Sequence, residues 1–427
     1  MKARNILAAG ALILALGVFA AVAGASTHKK SATSINVWLM TDAKGWPDIV
    51  DAANKAFTAA HPGVNVNLTY LTWGEHLGKL DAALAAGNAP DVTEMGNTEM
   101  TKYMAAGAFY NLPASVFDNY KTWLNSLQQS ATFGGKLYGV PYYAGARAAI
   151  VRTDYWKKSG VNHLPPRTLN EFYVDGLKIM KKYGKKDPNF SALYFPGQNW
   201  YAATSWVYDF GGSIAVRKNG SWKGNLNSAK SIAGLNELKK DVLSLSRADK
   251  TGTEANEWTT FAQGHVASMI GNGWEVGLIT DPKAGNPALA PVISAFPMPS
   301  RLAGRQMPSF LGGSDLAVPA SASHKSLGID WIKFYTSTNS ERQLASEVGV
   351  IPNTKTLLKI NDSKPLLAPF AHAATFSWFV PTAAHWADVE NAKVMQNLYV
   401  QIFTGRKSVK AAATSASNQI TQILNAG

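Results

Sequence analysis

The spacing of apolar positions changes repeatedly along the chain, and each change marks an element. Ile35, Val37 and Leu39 with Trp38 between them form a short apolar run that predicts a buried strand over 35–39. Ile49, Ala52, Ala53, Ala56 and Phe57 recur at helical spacing until His61-Pro62-Gly63 stops them. Positions 64–71 then alternate as a second strand, 77–86 read as a second helix closed by Gly87-Asn88, and Pro90-Asp91 leads into a third strand ending at Met95. Strand, helix, strand, helix, strand in this order predicts crossover units on a parallel sheet, so the fold class is α/β. Ligands of such sheets sit beyond the carboxyl ends of the strands. The loops at 40–46, 72–75 and 96–99 therefore become candidates for binding.

Further on, a helix is predicted over 169–183 with Thr168 as its N-cap. A Pro-rich stretch at 296–308 reads as a connector. A short strand at 316–318, a helix at 326–336 and a largely helical end at 392–424, interrupted near Thr404-Gly405, complete the pattern. The Gly312-Gly313 pair reads as a backbone turn. Trp38 and Trp331 fall inside predicted elements and are expected in the core. No internal repeat or long low-complexity segment is present.

At the N-terminus Lys2 and Arg4 precede an apolar run over 6–23, followed by small residues up to Ala25. That order is the pattern of a secretory signal peptide over 1–25. Cleavage would leave a mature charge of +11, the formal +13 less Lys2 and Arg4. The rival reading is an uncleaved anchor, since the run is just long enough to span a bilayer. The 427 residues suffice for two domains, and 46% hydrophobic with 16% charged residues is normal for a globular chain. The basic residues are scattered in pairs such as Lys181-Lys182, so no phosphate-binding footprint is expected and nucleic acid is not a predicted partner. The absence of Cys excludes disulfides, thiol catalysis and Cys-ligated metal, and also a lipid-modified Cys anchor. With no H-E-x-x-H, phosphate loop or G-x-S-x-G, neither a metal nor a cofactor is expected.

Several motifs resemble the extracellular solute-binding proteins of sugar ABC transporters, the maltose-binding-like family. They are His61-Pro62-Gly63-Val64-Asn65-Val66, the stretch from Ala85-Ala86-Gly87 to Asp91-Val92, Gly135-Lys136-Leu137-Tyr138-Gly139-Val140-Pro141 and Pro165-Pro166-Arg167-Thr168. Gly312-Gly313-Ser314-Asp315-Leu316-Ala317-Val318 and Thr404-Gly405-Arg406-Lys407-Ser408-Val409 follow in family order. Glu94-Met95-Gly96-Asn97-Thr98 and Tyr142-Tyr143-Ala144-Gly145-Ala146-Arg147 are most similar to members that take di- and oligosaccharides, including chitobiose-like ligands. The resemblance implies a two-lobe periplasmic binding protein fold with a hinged interlobe cleft. It places one lobe at 34–144 plus 315–362 and the other at 145–314 plus 363–427, with hinge crossings near 142–145 and 312–314. It further implies an exported monomer, periplasmic or on the outer membrane face, that delivers sugar to ABC permease subunits and performs no catalysis.

A pyranose has weakly apolar faces and a rim of hydroxyls, so its site needs flat aromatic rings and polar side chains. With 13 Trp and 15 Tyr the chain is well supplied with rings. Carried over by position, the candidates are Asp42 and Lys44, Asn97 and Glu99, and Gly145, whose missing side chain would leave room for ligand. Arg147, Asn199, Trp200, Tyr201 and Trp274 follow. Trp73, Trp206, Asp209, Ser314, Trp378 and Trp386 form a second tier. Each has a plainer alternative: Asp42 as a helix cap, Trp206 and Asp209 as lobe supports, Arg147 as the partner of a carboxylate. Rival functions are the same fold binding glycerol phosphate, a polyamine or a metal ion, and a secreted glycoside hydrolase, which needs two spaced carboxylates.

Overall fold

Residues 33–41, 46–255 and 257–426 are described by a computed structural model; the signal segment at 1–25 and the candidates Asp42 and Lys44 lie outside the described residues. The first three strands form as the periodicity predicts. Thr33–Met40 pairs in parallel with Val64–Leu71 on one side and Val92–Gly96 on the other, Val37 standing opposite Leu68 and Val92. The helices Pro47–Ala60 and His76–Ala85 make the crossovers. Position in the sheet explains the burial: Val64–Leu71 is an edge strand with alternate residues exposed, whereas Val92–Gly96 is buried throughout because it has neighbours on both sides.

The sheet continues with Ser309–Ala317, then Gly139–Ala146, then the short Ile351–Pro352, antiparallel along this path, while Ser377–Trp378 pairs in parallel with the start of Ser309–Ala317. Ser309–Ala317 is nine residues long where the sequence predicted a short strand starting at 316. Gly312 and Gly313 are not a turn but lie inside it, because a Cβ at Gly313 would come 2.1 Å from the carbonyl oxygen of Tyr143. The glycines let two backbones approach closely where the chain crosses. The register skips one residue between Ser314 and Asp315, so Ser314 faces Tyr143 while Asp315 faces Pro141. This bulge accommodates a proline inside a sheet.

A second, three-stranded antiparallel sheet consists of Ser268–Gly271, Ala148–Arg152 and Ile293–Phe296. It begins one residue after Gly139–Ala146 ends, so Arg147 carries the chain from one sheet to the other. Around it pack the helices Leu169–Tyr183, Trp200–Asp209, Ala229–Leu245, Val394–Phe403 and Val409–Leu424. Thr168 caps the first of these, its hydroxyl accepting from the Glu171 N–H as its position predicted. The C-terminal helices are parted at Gly405, which takes φ 71°. Among the described residues no helix is long and apolar enough to cross a membrane.

Each sheet carries its own core. Ile35, Val37, Phe57, Val92, Trp331 and Tyr335 belong to the first, and Trp156, Phe172, Phe195, Trp206, Leu238 and Tyr399 to the second. Trp331 is fully buried, as expected, with its indole N–H on Asn54 Oδ1 at 2.8 Å, and Trp38 packs against a neighbouring cluster of the first lobe. At the crossing Ala144, Ala146, Leu311, Ile351 and Ala373 form a small cluster of their own.

Asp315 sits under the bulge, fully buried, with one carboxyl oxygen accepting from Ser130 Oγ at 3.0 Å and the other lacking a partner. Burial pushes its pKa up to about 8 despite that hydrogen bond. A folded-state value above the unfolded one means that the native state binds the extra proton. The stability it contributes is full below the ordinary carboxylate range and declines as pH rises toward about 8. Asp315→Asn should therefore gain on the parent through that window and exceed it by on the order of 2 kcal/mol above it. Urea unfolding across the pH range measures this; parallel stability curves would show that Asp315 is not held protonated.

Candidate functional site

The cleft between the lobes is lined by loops at strand ends. On the first lobe, the segment after Val92–Gly96 turns so that Glu99 Oε2 accepts from the Gly96 N–H at 2.9 Å and from His76 Nε2 at 2.7 Å. The other ring nitrogen of His76 lies 3.1 Å from the Trp73 carbonyl. Both partners are acceptors, so both nitrogens must donate and the ring is an imidazolium. Burial opposes this charge, but the hydrogen bond and charge of Glu99 outweigh it and raise the His76 pKa. The imidazolium in turn fixes the turn that presents Trp73, which stands 40% exposed with its ring edge-on to His76 at 5.2 Å. Asn97 is buried and holds the crossing strand, its backbone N–H on the Gly313 carbonyl and its side chain 3.4 Å from the Leu311 carbonyl.

On the second lobe, Ser268–Gly271 leads directly into the helix Gly273–Thr280. Glu275 folds back to accept from the Asn272 N–H at 2.6 Å in a capping box. This holds the half-buried Trp274 toward the first lobe, edge-on to Tyr143 at 6.1 Å. A Cβ on Gly145 would lie 2.5 Å from the Trp274 ring. The space at Gly145 therefore belongs to the indole, which corrects the expectation that it is left for ligand.

Arg147 emerges at the crossing and is buried between charge and rings. Its Nη2 donates to Glu254 Oε2 at 2.8 Å, and its guanidinium lies 5.0 Å over Tyr201, which stacks on Phe310 at 4.4 Å. Burial works against the charge, and Glu254 more than restores it. The plainer reading of Arg147, as partner of a carboxylate, is the one this arrangement displays. Asn199 caps the helix Trp200–Asp209 and donates to Glu257 Oε1 at 2.6 Å, and Glu257 Oε2 has no partner.

The lobes touch across the cleft. Thr98 Oγ1 donates to Glu390 Oε2 at 3.1 Å, and Trp386 Nε1 to Glu390 Oε1 at 2.6 Å. Burial and then the charge of Glu99 push Glu390 up to about 8. Burial likewise raises Glu275 to about 7, and raises Glu257 well above the ordinary carboxylate range.

Several expected faces prove to be core. Trp200 and Trp386 are 3% and 1% exposed, interlocked at 6.2 Å between ring centres and packed with Phe310 and Trp378. Their area is spent on the second lobe, so neither is an open stacking face. Ser314 is buried at the bulge. Trp206 donates to Asp241 and Trp378 to Ser205, both from full burial, and Asp209 holds the connector through Ser300 and Arg301. The structure sets Arg147 over Tyr201, with Glu99 within electrostatic reach of that tyrosine, Trp73 edge-on to the His76 that Glu99 holds, and Trp274 against Gly145. It adds Thr98, Glu254, Glu257, Glu275 and Glu390, which the sequence reading did not select. Glu275 and Glu390 could have been found, one adjacent to Trp274 and the other one helical turn past Trp386; Glu254 and Glu257 carry no local signal.

Two α/β lobes that share a strand crossing and meet over a polar, ring-lined cleft define a solute-binding protein of the two-lobe kind. The chain belongs to the bacterial extracellular solute-binding protein family, whose profile matches residues 52–369. It is 31% identical to the diacetylchitobiose binding protein DasA of Streptomyces coelicolor over 92% of this chain and 90% of that one. Among solved structures, the GacH receptor of Streptomyces glaucescens, determined unliganded and with acarbose, superposes with a TM-score of 0.80 at 20% identity. That match covers 92% of this chain and 98% of the other. Maltose-bound MalE3 of T. maritima gives 0.80 at 19% identity over 92% and 100%. These structural likenesses establish the fold.

The notch at Gly145 makes a sharp prediction. Gly145→Ala should force Trp274 out of place, costing roughly 1–3 kcal/mol through overpacking and changing the near-UV signal of the indole. An unaltered spectrum and melting curve would show that Trp274 does not rest in the notch.

Proposed function

We propose that the chain is the binding component of an ABC importer that captures a di- or oligosaccharide in the interlobe cleft and presents it to the permease. The observation that supports this reading is the pair of partly exposed rings Trp73 and Trp274, one beside the first sheet's Glu99 and one at the Gly145 crossing, together with Tyr201, Arg147 and nearby carboxylates. Rings of this kind supply on the order of 1–3 kcal/mol each against sugar faces. Charged partners add about 1.5–3 kcal/mol for each hydroxyl bond. The 31% identity to a diacetylchitobiose binding protein supports a β-linked disaccharide as the first ligand to try.

Trp73, Glu99, Arg147, Tyr201 and Trp274 are the proposed ligand contacts, and Asp42 and Lys44 are proposed with them from the sequence. Asn97, Gly145, Asn199 and Ser314 act behind them, as do Trp200 and Trp386, by fixing the crossing and the neighbouring rings. The lobes run over about 34–144 plus 315–362 and 145–314 plus 363–427. The protein works as an exported monomer without a lipid anchor, having no Cys, and without nucleic acid. Glycerol phosphate fits poorly, because Arg147 is already paired with Glu254 and lies near further carboxyl groups.

No bond is broken. A solute that touches both lobes favours the closed arrangement by its differential affinity for it. A thermal-shift panel of mono-, di- and oligosaccharides, with glycerol phosphate as comparison, tests the reading. A ligand at 100 times its Kd should add about 2.7 kcal/mol of stability, and Trp274→Ala should remove most of that gain. A panel without a carbohydrate response, or a Trp274→Ala protein that responds fully, would overturn it.

A further inference from the structure

Resting on the carbohydrate reading, we propose that the ligand is an amino sugar, an oligosaccharide carrying a protonated primary amine, and that the carboxylates of the cleft select it over neutral sugars. The protein as a whole is basic, at +13, yet its cleft is acidic. Glu99, Glu254, Glu257, Glu275 and Glu390 form one electrostatic cluster spanning both lobes. Tyr201 feels Glu390, Glu99 and Glu254 together, Glu257 feels Glu275 and Glu254, and Glu390 feels Glu99. Among the described residues the bases that bear on this cluster are Arg147 and His76. Both are already paired, Arg147 through Nη2 with Glu254 at 2.8 Å, its buried Nε remaining without a partner, and His76 with Glu99 at 2.7 Å.

What remains is an excess of carboxyl groups over bases, and these groups are not fully occupied by neutral donors. Glu275 is used by its helix cap and Glu390 by Trp386 and Thr98. Glu257, only 3% exposed, has one oxygen on Asn199 and the other on nothing. Beside it Glu254 keeps about a third of its side chain open, at 32%, and so offers an approach from solvent. A neutral hydroxyl would give such a group one hydrogen bond and leave the charge excess unchanged. An ammonium gives three donors and a compensating charge at once. Without that cation the buried carboxyls must hold protons instead, and burial does raise Glu257, Glu275 and Glu390. A cationic ligand would displace those protons to solvent as it enters.

Three disaccharides of one size and one linkage isolate the charge: the β-1,4 glucosamine dimer, its di-N-acetylated form and cellobiose. Isothermal titration of the full chain at neutral pH, within the titration range of Glu275 and Glu390, should show the amine binding at least ~tenfold tighter than either neutral dimer, a preference of about 1.4 kcal/mol. Repeating the titration at that pH in buffers of different ionisation enthalpy should reveal proton release with the amine alone. If a neutral dimer binds as tightly or tighter, the amino-sugar proposal fails while the carbohydrate reading stands. If none of the three binds, and putrescine does, both fail. Glu257→Gln, nearly isosteric, and Glu254→Gln should each weaken the amine more than cellobiose; equal losses for the two ligands would overturn the role of charge. The second variant keeps the test open should the buried one not fold.

Discussion

The antiparallel pairing of Gly139–Ala146 with Ser309–Ala317 is the contact on which the rest of the molecule depends. Both strands belong to the first sheet, yet each continues into the second lobe. The pairing therefore sets how the two cores face one another. It works only because Gly313 lets the Tyr143 carbonyl come within what would be a Cβ's radius. At the boundary one hydroxyl fixes the crossing: Ser309 Oγ accepts from the Arg147 N–H at 2.8 Å and donates to the Arg147 carbonyl at 3.0 Å. Relative motion of the lobes must then be taken up in a few residues around this clamp. The same few residues carry Arg147 and receive Trp274, so the strand crossing and the proposed site share their parts.

That sharing divides the aromatic residues into two populations. Trp200, Trp206, Trp378 and Trp386 are consumed in packing, and their indole nitrogens are all but one tied to Asp241, Ser205 and Glu390. Trp73 and Trp274 instead sit at the ends of loops held by short polar devices, the His76 imidazolium in one case and the Glu275 capping box in the other. Placing the presenting loop under a charge-assisted hydrogen bond keeps a large ring at the surface without needing apolar burial to hold it. The buried set gives that loop geometry a rigid second lobe to work against.

The sequence made legible whatever is governed by local rules. The crossover order of the first three strands, the helix beginning at Thr168 and the break near Gly405 all follow from periodicity, capping and glycine chemistry within a few residues. What it hid is decided across long separations. Gly312-Gly313 read as a turn because the sequence does not show Tyr143 passing 2.1 Å from a Cβ that is not there. Trp386 read as a possible ring for sugar because its burial arises from Trp200, nearly two hundred positions earlier. Glu390 escaped notice because its partner Thr98 lies 292 residues away. Resemblance to a family carried the two-lobe architecture further than periodicity could, but it carried residue types and not their exposure.

The cleft chemistry also bears on why such a protein waits open. Bringing Thr98 against Glu390 and Trp274 against Gly145 encloses carboxyls that burial drives away from the charged form. Each enclosed carboxyl either takes up a proton or stays charged at a cost of the order of 1.4 kcal/mol per unit of pKa displacement. Closure on nothing is thus opposed by the same groups that favour closure on a ligand able to satisfy them. A ligand needs to bind the closed form about 10⁴-fold better to reverse a 1:99 balance completely, and an unsatisfied buried carboxyl such as Glu257 is one way to build part of that difference. On the proposed reading one set of carboxyl groups would do two things: oppose closure when nothing satisfies them, and favour it when a ligand does.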